Sequence, residues 1–271
     1  MNTGAVAAIT PGADQARRFG GLERLYGVSG AARIRKSHVL VAGIGGVGSW
    51  AVEALARSGV GRLTLIDLDH IAESNINRQI HALDDTVGQA KVEAMAARIA
   101  HINPDCRVEA IDDFVEPDNW LALLKRTLDS QGRLDAVIDA CDDVRAKLTM
   151  AAWARDTRSR FITVGAAGGK RLAHEVRIDD MALATHDPLL AQMRNRLRKL
   201  HGAPRDGKKM DIPCVFSHEA VAPPDPSCAI DEGGDGSLNC HGYGSVVSVT
   251  ATFGQCAAGW VLDRIAKDGA L

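Results

Sequence analysis

Between His38 and Val164, short continuous apolar runs alternate with segments whose apolar residues recur at helical spacing. That switching of period predicts an α/β fold, with parallel strands joined by crossover helices. The runs His38–Ala42, Arg62–Ile66, Arg107–Ile111, Ala136–Asp139 and Phe161–Val164 read as strands. A first helix is expected from about Val47 to Arg57, with Gly59 as the left-handed residue that turns the chain back. A second begins near Gly88, aligns Val92, Met95, Ile99 and Ile102 on one face, and is closed by Pro104. A third follows Asp142, from Val144 to Ala154.

After Val164 the character changes. A glycine-rich turn (Gly165, Gly168, Gly169) leads to an expected strand, Ala173–Ile178. Seven Lys or Arg and one Asp then fall between Arg194 and Lys209, preceded by apolar Leu189, Leu190 and Met193. Pro223, Pro224 and Pro226, then Gly233, Gly234 and Gly236, mark long loops. No charged residue occurs from Gly242 to Leu262, a length that just suffices to cross a bilayer. Its glycines and hydroxyl side chains dilute the hydrophobicity, so Gly244–Lys267 is read instead as a helix buried among protein elements. The predicted organisation is a flexible tail over 1–17, a nucleotide-binding domain over 18–170, and a C-terminal α/β extension over 171–271 integrated with the same fold.

Composition narrows the class. With 271 residues, 46% hydrophobic and 24% charged, the chain is neither disordered nor collagen-like nor a small disulfide scaffold. The formal net charge of -2 supplies no global field toward nucleic acid or membrane, so a polyanionic partner must use a local patch. Nothing points to DNA, and a membrane partner is not expected. The six cysteines, at 106, 141, 214, 228, 240 and 256, are far apart and read as reduced. Met1–Gln15 carries no secretory pattern, so a cytoplasmic setting is expected.

The first strand runs into Gly43-Ile44-Gly45-Gly46-Val47-Gly48-Ser49, which opens a helix. Such a loop lets backbone approach a phosphate chain at a helix N-terminus, where N–H groups are unpaired and the dipole is positive. Together with the strand pattern it makes the sheet Rossmann-like and mostly parallel. Asp67 ends the second strand, where a carboxylate accepts hydrogen bonds from ribose hydroxyls. Asn75, Arg78 and Gln79 follow, then Lys91. Two fixed cations suit a triphosphate better than a nicotinamide, since a guanidinium fork and an ammonium neutralise separate phosphate oxygens. Asp142, beyond the fourth strand, is positioned to hold Mg2+ against phosphate oxygens.

This ordered set resembles the ThiF-type adenylating superfamily, to which ubiquitin-activating enzymes belong. The likeness is carried by Gly43 to Gly48, Asp67-Leu68-Asp69, Ser74-Asn75-Ile76-Asn77-Arg78-Gln79, Val87-Gly88-Gln89-Ala90-Lys91 and Asp139-Ala140-Cys141-Asp142. It implies ATP binding by Gly43, Gly45, Gly46, Gly48, Asp67, Asp69, Asn75, Arg78, Gln79 and Lys91, and Mg2+ on Asp142. Arg78, Lys91 and Asp142 would be the catalytic residues. Arg18-Phe19-Gly20-Gly21-Leu22-Glu23-Arg24-Leu25-Tyr26-Gly27, Ile80-His81-Ala82-Leu83, Ile102-Asn103-Pro104, Asp112-Asp113-Phe114-Val115, Cys214-Val215-Phe216-Ser217 and Thr250-Ala251-Thr252-Phe253-Gly254 are similar to the tRNA threonylcarbamoyladenosine dehydratase family. That resemblance implies ATP-driven cyclisation of the threonylcarbamoyl group beside the tRNA anticodon, a homodimer, and a cysteine desulfurase or sulfur-acceptor system as a further partner. Arg18 and Arg24 are the nearest candidates for an arginine acting across a dimer.

Adenylation would convert a poorly electrophilic carboxylate into one that the substrate's own carbamoyl group attacks, so no enzyme thiol is required. No catalytic cysteine is assigned, and no pair of C-x-x-C motifs offers a zinc site. Arg194, Arg196, Arg198, Lys199, Lys208 and Lys209 are the candidate tRNA contacts, against the alternative of a solvated helix face. The scattered histidines, from His81 to His241, read as surface or packing residues. The rivals are adenylation of a ubiquitin-like sulfur carrier, a non-catalytic sulfur-relay scaffold and, more distantly, a nicotinamide dehydrogenase.

Overall fold

In the computed structural model of the chain, residues 14–225, 227 and 243–268 are described. Residues 1–13 of the expected tail, Pro226, Cys228, Gly233, Gly234, Gly236, Cys240, His241 and Gly242 lie outside them. The elements are α1 (Gln15–Lys36), β1 (His38–Ala42), α2 (Gly48–Arg57), β2 (Arg62–Ile66), α3 (Lys91–Ile102), β3 (Arg107–Ile111), α4 (Trp120–Gln131), β4 (Ala136–Asp139), α5 (Val144–Thr157), β5 (Phe161–Val164), β6 (Val176–Asp180), α6 (Pro188–Leu200), β7 (Pro213–Ser217) and α7 (Val247–Lys267).

All seven strands form one sheet in the order β3-β2-β1-β4-β5-β7-β6, parallel except where β6 runs antiparallel to β7. Because every central strand is covered on both faces, alternate residues feed two cores. Val39 and Val41 of β1 join α1, α2, α3 and α7 on one side. Leu40 and Ala42 join α4, α5 and α6 on the other. The five strands expected from apolar runs have the observed bounds.

Several expectations are corrected. The strand expected over Ala173–Ile178 is a 3-10 turn at Ala173–Glu175 followed by β6, because pairing with β7 starts only at Val176. The second helix begins at Lys91, not Gly88, since Gly88 has φ 88° and belongs to the turn before it. Helix α1 begins at Gln15, inside the segment expected to be flexible, capped by Asp14 and broken at Gly27 (φ 72°).

The uncharged C-terminal segment is α7, whose Val249, Phe253, Ala257, Val261 and Ile265 are buried against the sheet and neighbouring helices. A Cβ on Gly254 would strike the Val47 carbonyl and approach Ala51 N to 2.8 Å, so this glycine lets α7 cross the start of α2 at close range. Among the described residues no helix is long and apolar enough to cross a membrane.

Candidate functional site

The chain builds outward from β1 to β2 and β3, then returns to place β4 on the other side of β1. Loops leaving β1 and β4 therefore part in opposite directions at their carboxyl ends, and a crevice opens there. The two loops nearly touch at its floor. Gly43 has φ 84°, and a Cβ there would lie 2.7 Å from the Ala140 carbonyl oxygen. The resulting cavity has a volume of about 530 Å³. It brings together Gly43, Gly45, Gly46, Asp67, Asp69, Asn75, Arg78, Gln79, Lys91 and Asp142. Of the nucleotide set, Gly48 alone is not on its lining. A Cβ at Gly48 would collide with the Gly43 carbonyl, so this glycine serves the closure of the loop.

Buried Asp67 organises the cradle. Its Oδ2 accepts the Ile44 N–H at 2.6 Å and its Oδ1 accepts the Asp69 N–H at 2.9 Å. Burial raises its carboxyl above the ordinary range, opposed by nearby Lys91 and by these two amides. Lys91 opens α3 and is itself buried, with Nζ 2.5 Å from Asp69 Oδ2 and 4.0 Å from Asp67 Oδ1.

Asn75 is spent locally, accepting the Ala72 N–H at 3.0 Å through Oδ1. Arg78 donates to Ser74 O (2.7 Å) and Asn77 Oδ1 (2.9 Å), and its stem passes beside Gly46. Trp50 fixes that turn by donating to Arg78 O at 2.9 Å. Gln79 Oε1 is buried without a hydrogen-bond partner among the described residues, and it fits a polar donor of a ligand, because buried acceptors are as a rule paired.

Opposite the glycines, Asp142 reaches solvent at the crevice wall. Desolvation by the walls is the chief influence on its carboxyl and raises it. Asp143 caps α5 by accepting the N–H groups of Arg145 and Ala146, each at 2.8 Å. Asp142 and Asp143 bring oxygen donors to this side, beside Cys141, whose thiol is pushed upward by burial, and hard oxygen donors suit Mg2+. Among the described residues there is no cluster of three or more His, Cys, Asp or Glu arranged for a metal. A single carboxylate suffices where phosphates complete the shell.

Other walls carried no role in the sequence. Phe114, Val115 and Pro117, beyond β3, close one end, and Ala166, Ala167 and Leu189 the other. The Gly165–Ala166 turn is pinned by buried Asp187, which accepts Ala166 N–H at 2.9 Å and Leu190 N–H at 3.0 Å. The Asp-x-x-Leu start of α6 after a His is the only sequence trace of that tie.

The basic stretch divides. Arg194 donates to Met181 O and Ala184 O, and Arg198 donates to Pro204 O, so both guanidinium groups hold the fold. Lys199, Lys208 and Lys209 are exposed and Arg196 is half-buried. Arg18 donates to Ile102 O at 2.6 Å, whereas Arg24 is exposed on α1. Cys106, Cys141, Cys214 and Cys256 are free thiols, all pushed upward by burial, Cys106 to about 12.

A twisted parallel sheet with a glycine cradle at its switch point defines the doubly wound α/β nucleotide-binding proteins. Residues 20–269 match the ThiF family. Over 256 residues the chain is 44% identical to the tRNA threonylcarbamoyladenosine dehydratase of Escherichia coli strain K12, covering 92% of this chain and 93% of that relative. The fold aligns with the crystal structure of the E. coli dehydratase TcdA in complex with ATP at TM-score 0.84 and 41% identity, covering 95% and 98% of the two chains. With the AMP complex the TM-score is 0.82 at 42% identity over the same shares. The chain belongs to the ThiF family and, within it, to the tRNA threonylcarbamoyladenosine dehydratases.

Proposed function

We infer that the chain catalyses ATP-dependent dehydration of threonylcarbamoyladenosine in tRNA, beside the anticodon. One observation carries this: a single crevice at the sheet's switch point gathers a glycine cradle, Arg78, Lys91 and Asp142. Similarity over 92% of the chain to the E. coli dehydratase, whose structure is solved both with ATP and with AMP, supports the same reading.

The glycines at 43, 45 and 46 admit the phosphate chain and the N-terminus of α2 faces it. Asp67, held by two amides, takes the ribose, and Asp69 keeps Lys91 aimed into the crevice. Arg78 and Lys91 neutralise phosphate oxygens as charge shifts toward pyrophosphate, with Asn75 and Gln79 shaping the same wall. Asp142 fits Mg2+, which when bound would neutralise phosphate charge. The threonyl carboxylate attacks the α-phosphorus, pyrophosphate leaves, and the tethered carbamoyl group then displaces AMP. The product is cyclic and has lost one water. Effective concentration favours this internal closure over attack by an enzyme thiol, and the upward-shifted thiols agree.

We assign residues 18–170 to adenylation and 171–271 to the tRNA side, with phosphate contact through Arg196, Lys199, Lys208 and Lys209. Exposed Leu25 and Val28 on α1 support a homodimer. The four described thiols lend no support to a sulfur-relay partner. A cytoplasmic setting accords with tRNA as substrate. The deciding experiment is nucleoside mass analysis of tRNA incubated with protein, ATP and Mg2+. Loss of one water from the threonylcarbamoyl nucleoside, dependent on ATP, is expected; an unchanged nucleoside overturns the assignment.

A further inference from the structure

Beneath the crevice lies an ion pair that none of these steps uses. Lys147 of α5 and Asp139 at the end of β4 are both fully buried, with Nζ 3.0 Å from Oδ2. The same Oδ2 accepts the Thr163 hydroxyl at 2.6 Å from the neighbouring strand. Lys147 Nζ also lies 3.5 Å from the Asp139 carbonyl oxygen. The remaining oxygen, Oδ1, accepts the backbone N–H of Cys141 at 3.1 Å.

That last bond has a consequence two residues further on. Cys141 is held from below by Asp139, while Asp143 is held from above as the cap of α5. Asp142 is the one residue between the two clamps, and it stands on the crevice wall. A buried ion pair is a poor source of stability, because the cost of desolvating both charges offsets their attraction. An oxygen that fixes the turn carrying a metal-binding carboxylate gives Asp139 a role beyond stability, since such outer partners set the orientation of a ligand.

We propose that Asp139, its buried charge compensated by Lys147, is the positioning element for Asp142, holding the β4–α5 turn through the Asp139–Cys141 bond so that the carboxylate meets a phosphate-bound divalent cation. This rests on the assignment of Asp142 to the metal. Asp139 acts through the turn and Lys147 compensates its buried charge, and neither touches substrate or metal.

The test measures Mn2+ affinity by electron paramagnetic resonance on full-length protein saturated with α,β-methylene-ATP, so no turnover is needed. Thermal melting establishes which variants fold. Lys147→Met/Asp139→Leu removes both charges together with the acceptor for Cys141. Lys147→Met/Asp139→Asn removes the charges but keeps an oxygen for that N–H. The leucine pair is expected to weaken Mn2+ by about tenfold or more, and the asparagine pair to stay within about threefold of wild type.

Wild-type Mn2+ affinity in a folded leucine pair overturns the proposal. So does a loss of about tenfold in a folded asparagine pair, a result that can be read even where the leucine pair does not fold. Asp142→Ala serves as the reference: if it binds Mn2+ as wild type does, the metal assignment itself has failed.

Discussion

The Lys91 ammonium lies 2.5 Å from Asp69 Oδ2, pairing a buried cation with a half-exposed acid on the crevice wall. The pair keeps a flexible four-carbon side chain pointed at the cradle before any ligand arrives, so less rotamer entropy is lost on binding. An incoming phosphate then exchanges one anionic partner for another at an amine already desolvated. Lys91→Met should therefore weaken ATP binding by about 10- to 100-fold, the worth of a charge-assisted hydrogen bond. Calorimetric titration with ATP checks this, and unchanged circular dichroism would exclude simple unfolding.

Two glycines of the cradle separate packing from phosphate approach. A Cβ on Gly48 collides with the Gly43 carbonyl, whereas a Cβ on Gly45 meets nothing closer than Gln79 Nε2 at 3.9 Å. Gly48→Ala should lower stability by about 2 kcal/mol or more, as overpacking does at rigid backbone. Gly45→Ala should melt as wild type yet bind ATP more weakly, because the methyl group occupies space the phosphate chain needs. Equal melting temperatures for the two variants would show that the loop is not closed as described.

Asp142→Ala and Arg78→Ala should each abolish tRNA-dependent turnover while leaving the fold intact. Asp142 is exposed at the crevice wall, and the Trp50 bond to the Arg78 backbone carbonyl remains when the Arg78 side chain is removed. Pyrophosphate–ATP isotope exchange in the presence of substrate tRNA reports the first step directly. Wild-type exchange in either variant removes the corresponding assignment.

Local signals were the legible part of this molecule. The five strands from β1 to β5 are short apolar runs that end abruptly, so the boundary and the composition change together. The cradle, Arg78 and Lys91 could be read because each sits on a contiguous motif. Strand β7 starts with Pro213 behind a basic loop, and α4 follows the turn-rich Glu116–Asn119, so neither announced itself. The Lys147–Asp139–Thr163 and Asp187–Ala166 ties join residues 8 to 24 positions apart through three-dimensional packing, and a buried charge leaves no periodicity. For the same reason Arg194 and Arg198 looked like ligand-facing cations, although their partners are backbone carbonyls.

His81 makes acid stability informative. It is buried, neither ring nitrogen has a hydrogen-bond partner among the described residues, and burial, reinforced by Lys91 and Arg98, lowers its imidazole from 6.5 to about 4. The unfolded chain thus binds the proton first as pH falls below about 6.5, and folded stability declines from there to about pH 4. The full shift corresponds to about 3 kcal/mol. Asp67, Asp142 and Asp187 are shifted upward by burial and oppose the decline as they take up protons. A difference measurement isolates the histidine: His81→Leu should gain stability relative to wild type between pH 7.5 and pH 4.5 in urea titrations. A constant difference across that range would mean that His81 takes up its proton in the folded state as readily as in the unfolded chain.

Helix α6 offers a sharper test of RNA contact than its sequence allowed. Arg194 and Arg198 tie the helix to the segments at Met181–Ala184 and Pro204, so reversing their charge would unsettle the fold and confuse the readout. On the same helix Lys199, by contrast, is exposed and Arg196 half-buried. Arg196→Glu/Lys199→Glu should melt like wild type and bind tRNA more weakly at low salt. If each residue contacts a phosphate, the slope of log affinity against log salt should flatten by about one per residue lost. ATP binding without tRNA should not change, since neither residue lines the crevice. Filter binding across a salt series distinguishes this from a solvated helix face, for which both the affinity and its slope would stay where they were.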